Sequence, residues 1–171
     1  RQYGSKLTVQ HSLDRTKRMA FQLDGRRTES EINSGYNGWQ LGANATYEQV
    51  VGKSAILSGS LIARRDFMKS DFYSSKTAGI NAGLGGELPL GINAGLSGGL
   101  SYVKYDAAQE FFSVEKRQDW RYQARAYAGL RQLRVAGFSP SVEYRFVKTD
   151  SNYDLYANER HRMEFKLARY F

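Results

Sequence analysis

Residues 160–171 read RHRMEFKLARYF, and their alternation decides the fold. Met163, Phe165 and Leu167 share one face with Phe171, while Arg162, Glu164 and Lys166 occupy the other. A side-chain period of two belongs to a β-strand, whereas helical faces recur at about 3.6 residues. Arg169 is the one departure, a cation on the otherwise apolar face. Eight further segments upstream alternate in the same way, at approximately 6–13, 18–27, 39–50, 55–65, 77–88, 92–105, 119–133 and 138–148. Most run 10–15 residues, well beyond the 5–6 or so of an ordinary soluble strand.

Strands of that length suit a tilted crossing of a bilayer, in which about 9–11 residues lie in hydrocarbon. The faces agree. In the seventh segment Trp120, Tyr122, Ala124, Ala126, Ala128 and Leu130 oppose Arg121, Gln123, Arg125, Tyr127, Gly129 and Arg131. In the third, Trp39, Leu41, Ala43, Ala45 and Tyr47 oppose Gln40, Gly42, Asn44, Thr46 and Glu48. Aromatics stand near the ends of the apolar face with small aliphatics between, the arrangement of two girdles around a lipid-facing band. A soluble sandwich would use shorter strands and larger core aliphatics than Ala and Gly. No run of about 18 apolar residues occurs, so a transmembrane helix is excluded and any membrane crossing is by strands.

The connections alternate between short and long. DRTK (14–17), VGKS (51–54), LPLG (88–91) and RVAG (134–137) read as tight turns. TESEINSGYNG (28–38), DFMKSDFYSSK (66–76), DAAQEFFSVEKRQ (106–118) and TDSNYDLYANE (149–159) read as long polar loops. Short turns on the periplasmic side and long loops outside are the asymmetry of outer-membrane barrels. The expected fold is therefore all-β, an antiparallel transmembrane β-barrel portion of nine strands, with residues 1–171 as one domain. An odd count places Arg1 on the loop side, whereas single-chain bacterial barrels usually have an even number of strands. The expectation is the C-terminal part of a larger barrel, with an odd number of strands preceding it.

The composition bears on chemistry. The chain has 171 residues, no Cys, 17 Gly, 12 Tyr, 9 Phe and a net charge of +8. Without Cys there is no disulfide framework, thiolate metal site or Cys nucleophile. Alternation directs Arg26, Arg64, Arg121, Arg125, Arg131, Arg145, Arg162 and Lys166 to the lumen with Asp24, Glu48, Glu87, Glu143 and Glu164. Such residues form either Arg–carboxylate ladders or a basic track for an anionic or polypeptide substrate. The track candidates are Arg121, Arg125, Arg131, Glu143, Arg145, Arg162, Glu164 and Lys166. This inward charge argues against nucleic acid as a partner. His11 and His161 fall on the outward face, far apart and with no carboxylate partner expected in their own strands, which suits neither a catalytic triad nor a metal site. Asp66, Asp71, Asp106, Asp150 and Asp154 are scattered at strand tops, so no catalytic residue, metal or cofactor is expected. GLGGELPLG (83–91) lacks the helix and Lys of a phosphate loop. Loop aromatics, including Phe67, Phe72 and Tyr73, and the aliphatic Leu155 are candidate contacts, with Phe111, Phe112, Tyr153 and Tyr156 foremost for a partner or lipopolysaccharide.

The chain's last strand resembles those of bacterial outer-membrane proteins. That resemblance implies that the barrel-assembly machinery reads Phe165, Leu167 and Phe171. More specifically, residues 137–171 resemble the end of the surface lipoprotein assembly modifier family, Slam. The likeness rests on Gly137-Phe138-Ser139-Pro140, Tyr144 and Arg145 in the strand that follows, a Ser151-Asn152 loop carrying Tyr156, and Asn158-Glu159-Arg160 leading into the last strand. The resemblance implies a barrel of about fourteen strands behind a periplasmic helical-repeat domain. Nine would then be the last of those strands, leaving five, an odd number. It also implies export or surface display of specific proteins such as surface lipoproteins. Expected partners are membrane lipids and lipopolysaccharide, the assembly machinery, a protein or lipoprotein substrate, and the missing N-terminal strands. The alternative is a passive or polysaccharide-exporting porin, and a third reading is an adhesive barrel acting through its loops.

Overall fold

The computed structural model describes residues 1–88, 91–109, 114–130 and 138–168. They form one antiparallel sheet whose nine strands lie side by side in chain order. The strands are β1 (Gln2–Ser12), β2 (Lys17–Thr28), β3 (Gly38–Val51), β4 (Ala55–Met68), β5 (Ser75–Leu88), β6 (Ile92–Ala108), β7 (Lys116–Leu130), β8 (Ser139–Ser151) and β9 (Asn158–Ala168). Among the described residues β1 and β9 do not pair, so the sheet is open. Among the described residues no helix is long and apolar enough to cross a membrane.

The strands reach further toward the long loops than alternation indicates. The stretch 66–76, read as a loop, is strand at both ends, 66–68 in β4 and 75–76 in β5, where Arg65 pairs with Lys76 and Asp66 with Ser75. Likewise β6 reaches Ala108, β7 starts at Lys116, β8 reaches Ser151 and β1 starts at Gln2. Apolar alternation marks only the part of a strand that faces an apolar medium. The backbone ladder continues through polar residues as readily, since N–H and C=O groups pair irrespective of side chain. The expected end of the seventh segment, 131–133, lies outside the described residues, as do Arg169 and Phe171.

Burial is inverted relative to a water-soluble domain. Among the described residues the only buried hydrophobic side chains are Val103 and Tyr153, while Leu61, Leu96, Leu23 and Ile80 are each more than half exposed. The exposed apolar residues share a face. Leu23 pairs with Ala43, Ala43 with Ala63, Ala63 with Ala78, Ala78 with Tyr102 and Tyr102 with Trp120. Directly paired residues point to the same side, so one face is continuously apolar across strands and the other is polar. An apolar face this extensive requires a nonaqueous neighbour.

The described turns explain how consecutive strands reverse. Gly52 between β3 and β4 has φ of 65°, a left-handed conformation that costs other L-residues about 1–2 kcal/mol. Between β1 and β2, Asp14 accepts hydrogen bonds from the Thr16 N–H and hydroxyl, both at 2.7 Å. Those bonds, the hydroxyl's first and then the amide's, hold the Asp14 carboxyl below its ordinary 3.8.

Two outcomes follow from the register and the turn. With no native Cys, Ala43→Cys with Ala63→Cys is expected to cross-link under mild oxidation because the two are direct partners. Ala43→Cys with Ile62→Cys should not, since Ile62 points to the other face; gel mobility of the full-length protein distinguishes them. Asp14→Ala should lower stability at neutral pH. Because the folded-state pKa is depressed, Asp14's contribution is complete above 3.8 and is lost as pH falls through the lower folded value. Denaturation curves of parent and variant should therefore converge in acid.

Candidate functional site

The polar face of β7, β8 and β9 carries a row of three directly paired arginines, Arg125 with Arg145 and Arg145 with Arg162. The next row holds two directly paired carboxylates, Glu143 and Glu164. Like charges facing each other across strands are destabilising, and neighbours two residues along the same strand, with one cross-strand diagonal, resolve this. Glu143, only 8% exposed, accepts from Arg125 at 2.8 Å and also from the Arg145 Nε. Glu164 pairs with Arg162 at 2.6 Å and Lys166 at 2.8 Å. Two carboxylates thus hold four cations, and the patch keeps a positive surplus. Six of the expected lumen residues are brought together in this way.

Arg121 belongs to a different cluster. It pairs with Asp119 at 3.2 Å, and Arg117 binds the same carboxylate through two bonds of 2.8 and 2.7 Å. Asp119 is fully buried, beside its direct partner Val103, at the loop end of the polar face. Arg117 falls in the stretch 106–118, read as a loop; the structure places it in β7, on the same face as Asp119 two residues on. Arg131 lies outside the described residues.

Between the cationic strands and β4 the polar face is shallow. Ser60 pairs with Asn81, Asn81 with Gly99 and Gly99 with Gln123. With no side chain on Gly99, Gln123 reaches across β6 to donate to Asn81 Oδ1 at 2.8 Å, and Asn81 donates to Ser60 at 3.2 Å. A Cβ at Gly99 would come within 2.0 Å of that Asn81 oxygen. The result is an open recess of about 410 Å³ lined by Asn81, Ser97, Gln123, Arg125 and Arg145. On β2 to β4 Arg18 pairs with Glu48 and Arg64 with Asp66 at 2.9 Å, while Arg26 donates to the side-chain oxygens of Gln40 and Gln2.

Three long loops end in the same short turn. Tyr36, Tyr73 and Tyr156 each donate their N–H to the carbonyl three residues back, at 3.2, 3.0 and 2.9 Å. The following residue does the same, at 3.1 Å each time, before the strand resumes. The turn is a single 3₁₀-type winding that delivers a tyrosine at one fixed place. Tyr36 stacks on Tyr73 with centroids 3.8 Å apart. The Tyr73 hydroxyl, and then burial, push the Tyr36 phenol above its usual range. The other pair of loops is joined by Arg117, whose guanidinium lies 4.6 Å from the Tyr105 ring and 3.5 Å from the Tyr156 ring. The signal in the sequence was a tyrosine two residues before each strand's renewed alternation.

Several expected contacts take other roles. Tyr153, read as a partner contact, is 5% exposed; its hydroxyl donates to the Glu115 carbonyl and accepts from the Gln109 N–H. A phenol satisfied on both sides and buried stitches loops together and presents nothing outward. Tyr156 is half-buried against Arg117 and donates to Gln109 at 3.2 Å. Phe67 lies within β4 beneath the Arg65 guanidinium at 4.7 Å, not in a loop. Phe111 and Phe112 lie outside the described residues. Asp66 and Asp106 stand in ion pairs with Arg64 and Arg65. His161 does have a carboxylate in its own strand: Glu159 at 3.0 Å from Nε2, with the Tyr144 hydroxyl 2.7 Å from Nδ1. Alternation places residues two apart on one face, which brings Glu159 within reach. Phe165 and Leu167 are outward, 78% and 68% exposed.

Long strands, an apolar outer face and a hydrogen-bonded ionic inner face are compatible with the wall of an outer-membrane β-barrel. The profile of the surface lipoprotein assembly modifier family matches residues 1–171, and the chain belongs to that family. Among curated proteins and among solved structures nothing matches.

The buried Asp119 sets a stability test. Asp119→Ala removes the shared anion and leaves Arg117 and Arg121 uncompensated at the loop end. The expected loss is about 3 kcal/mol, read as a lower urea midpoint of the refolded full-length protein.

Proposed function

We propose that this chain forms part of an outer-membrane barrel that assists export or surface display of specific proteins such as surface lipoproteins. The observation that carries the reading is the Arg125–Arg145–Arg162 row, a polar face with more cations than carboxylates in a chain of this family. A hydrated wall with a positive surplus attracts and guides acidic stretches of a passing polypeptide without binding any one of them tightly. The neutral recess beside it offers hydrogen bonds and small side chains, so an extended chain can lie close to the wall. The protein acts as a conduit, with no catalytic step. Its substrate is a protein or lipoprotein, and its surroundings are membrane lipids, the assembly machinery and the preceding strands of the barrel.

The amide and hydroxyl lining of the recess, Asn81, Ser97 and Gln123, favours one second reading, an exporter of polysaccharide. Arg162→Gln separates the two. Glu164 keeps Lys166 as its partner in that variant, so the fold is retained while the surplus falls. Surface display of a co-expressed lipoprotein should drop by about three- to tenfold at unchanged membrane abundance. Steady open conductance in a planar bilayer, with no display activity in the parent, would exclude the translocator.

A further inference from the structure

The outward face carries a second row of cations, at the loop side of the apolar band. Arg65 pairs directly with Lys76, and Lys76 directly with Lys104. Two residues nearer the turns the same face holds Ala63, Ala78 and Tyr102, with Trp120 beside Tyr102 at a ring separation of 4.8 Å. Lys116, paired with Ala108, lies above Lys104 on that face. One carboxylate serves the group. Asp106 takes the Arg65 guanidinium at 2.8 Å through its Oδ1 and again through Oδ2, and Arg65 also rests on Phe67.

Lys76 and Lys104 are both exposed, and among the described residues neither has a carboxylate within ion-pair distance. This contrasts with the polar face of β7 to β9, where the arginine row is held by carboxylates in the adjacent row. Directly opposed lysines have Cβ atoms about 4.5–5.5 Å apart, a spacing at which two ammonium groups converge on one multiply charged anion. Each ammonium is a compact point charge with three donors, suited to phosphate oxygens.

We propose that Lys76 and Lys104, with Arg65 and Lys116 beside them, bind the phosphate headgroup of an anionic amphiphile. The headgroup meets the cations, and the acyl chains run down the apolar face past Tyr102 and Trp120. Position argues for an amphiphile over free phosphate: the cations sit at the upper edge of a face that must be covered by apolar material, which a soluble anion cannot supply. The site rests on the membrane-spanning reading of the sheet and adds to it a lipid of defined chemistry.

The test uses the full-length protein in nanodiscs of phosphatidylcholine doped with diphosphorylated lipid A or with its dephosphorylated counterpart. Retained glycolipid is counted by mass spectrometry after transfer to detergent. The parent should retain the phosphorylated form about tenfold more than the dephosphorylated form, and Lys76→Gln with Lys104→Gln should remove most of that preference. Lys53→Gln, at the opposite turn, should leave it intact. Equal retention by parent and double variant overturns the site, and so does equal retention of the two glycolipids. Complete competition by millimolar inorganic phosphate would identify a free-anion site and overturn the amphiphile. Insertion into the discs is scored in the same samples by protease protection. Failure of the parent to insert would refute the membrane reading and the lipid site together; normal insertion without preference refutes the lipid site alone.

Discussion

Everything in this sheet depends on the register of its backbone ladder. Eight consecutive antiparallel pairings run from β1 to β9, and the described irregularity in them is the bulge between Lys104 and Ala108. In an apolar medium an unpaired N–H or C=O has no solvent to turn to, so each strand must satisfy its backbone with its neighbours. Register also assigns the faces. A slip of one residue between β7 and β8 would turn the Arg145 side of β8 to the outside and bring Phe146 in. Because one face is apolar and the other ionic, the cost of slipping is large and the pairing is unique.

On the polar face the ladder sorts charge into zones. Arginine meets carboxylate or amide oxygen on β2 to β4, side chains are small on β5 and β6, and cations exceed carboxylates on β7 to β9. The glycine-rich strands that look featureless in sequence have a mechanical role. Gly99 lets Gln123 and Asn81 meet across an intervening strand, and Tyr127 lies within 2.5 Å of where a Gly95 Cβ would stand. Flattened side chains leave a recess beside the arginine row. At the loop end the repeated tyrosine turns and the Tyr105–Arg117–Tyr156 sandwich tie loops together above Asp119.

The net charge of +8 therefore has two destinations. Inside, cations share carboxylates and the surplus faces water, where it suits a conduit in a family named for surface lipoproteins. Outside, Lys76 and Lys104 oppose each other at the rim of an apolar surface, where a lipid phosphate supplies the missing anion. The same residue types thus acquire different partners from which side of a strand they occupy.

That sidedness was legible in the sequence, because a period of two is a local property and survives without knowledge of neighbours. The nine strands, their two faces, the alternation of short and long connections, and the inward direction of Arg125, Glu143, Arg145, Arg162, Glu164 and Lys166 all follow from it. The sharing of Glu143 between Arg125 and Arg145 does not, since that depends on the pairing of β7 with β8. Nor do the strand ends, which continue through polar residues once hydrophobic alternation has stopped. Tyr153 shows the limit most plainly: its place in a polar loop suggested an exposed anchor, and the folding of that loop onto Gln109 and Glu115 buried it. Alternation along one strand determined which way each side chain faces; only the packing of strands and loops distant in the chain decided what it meets there.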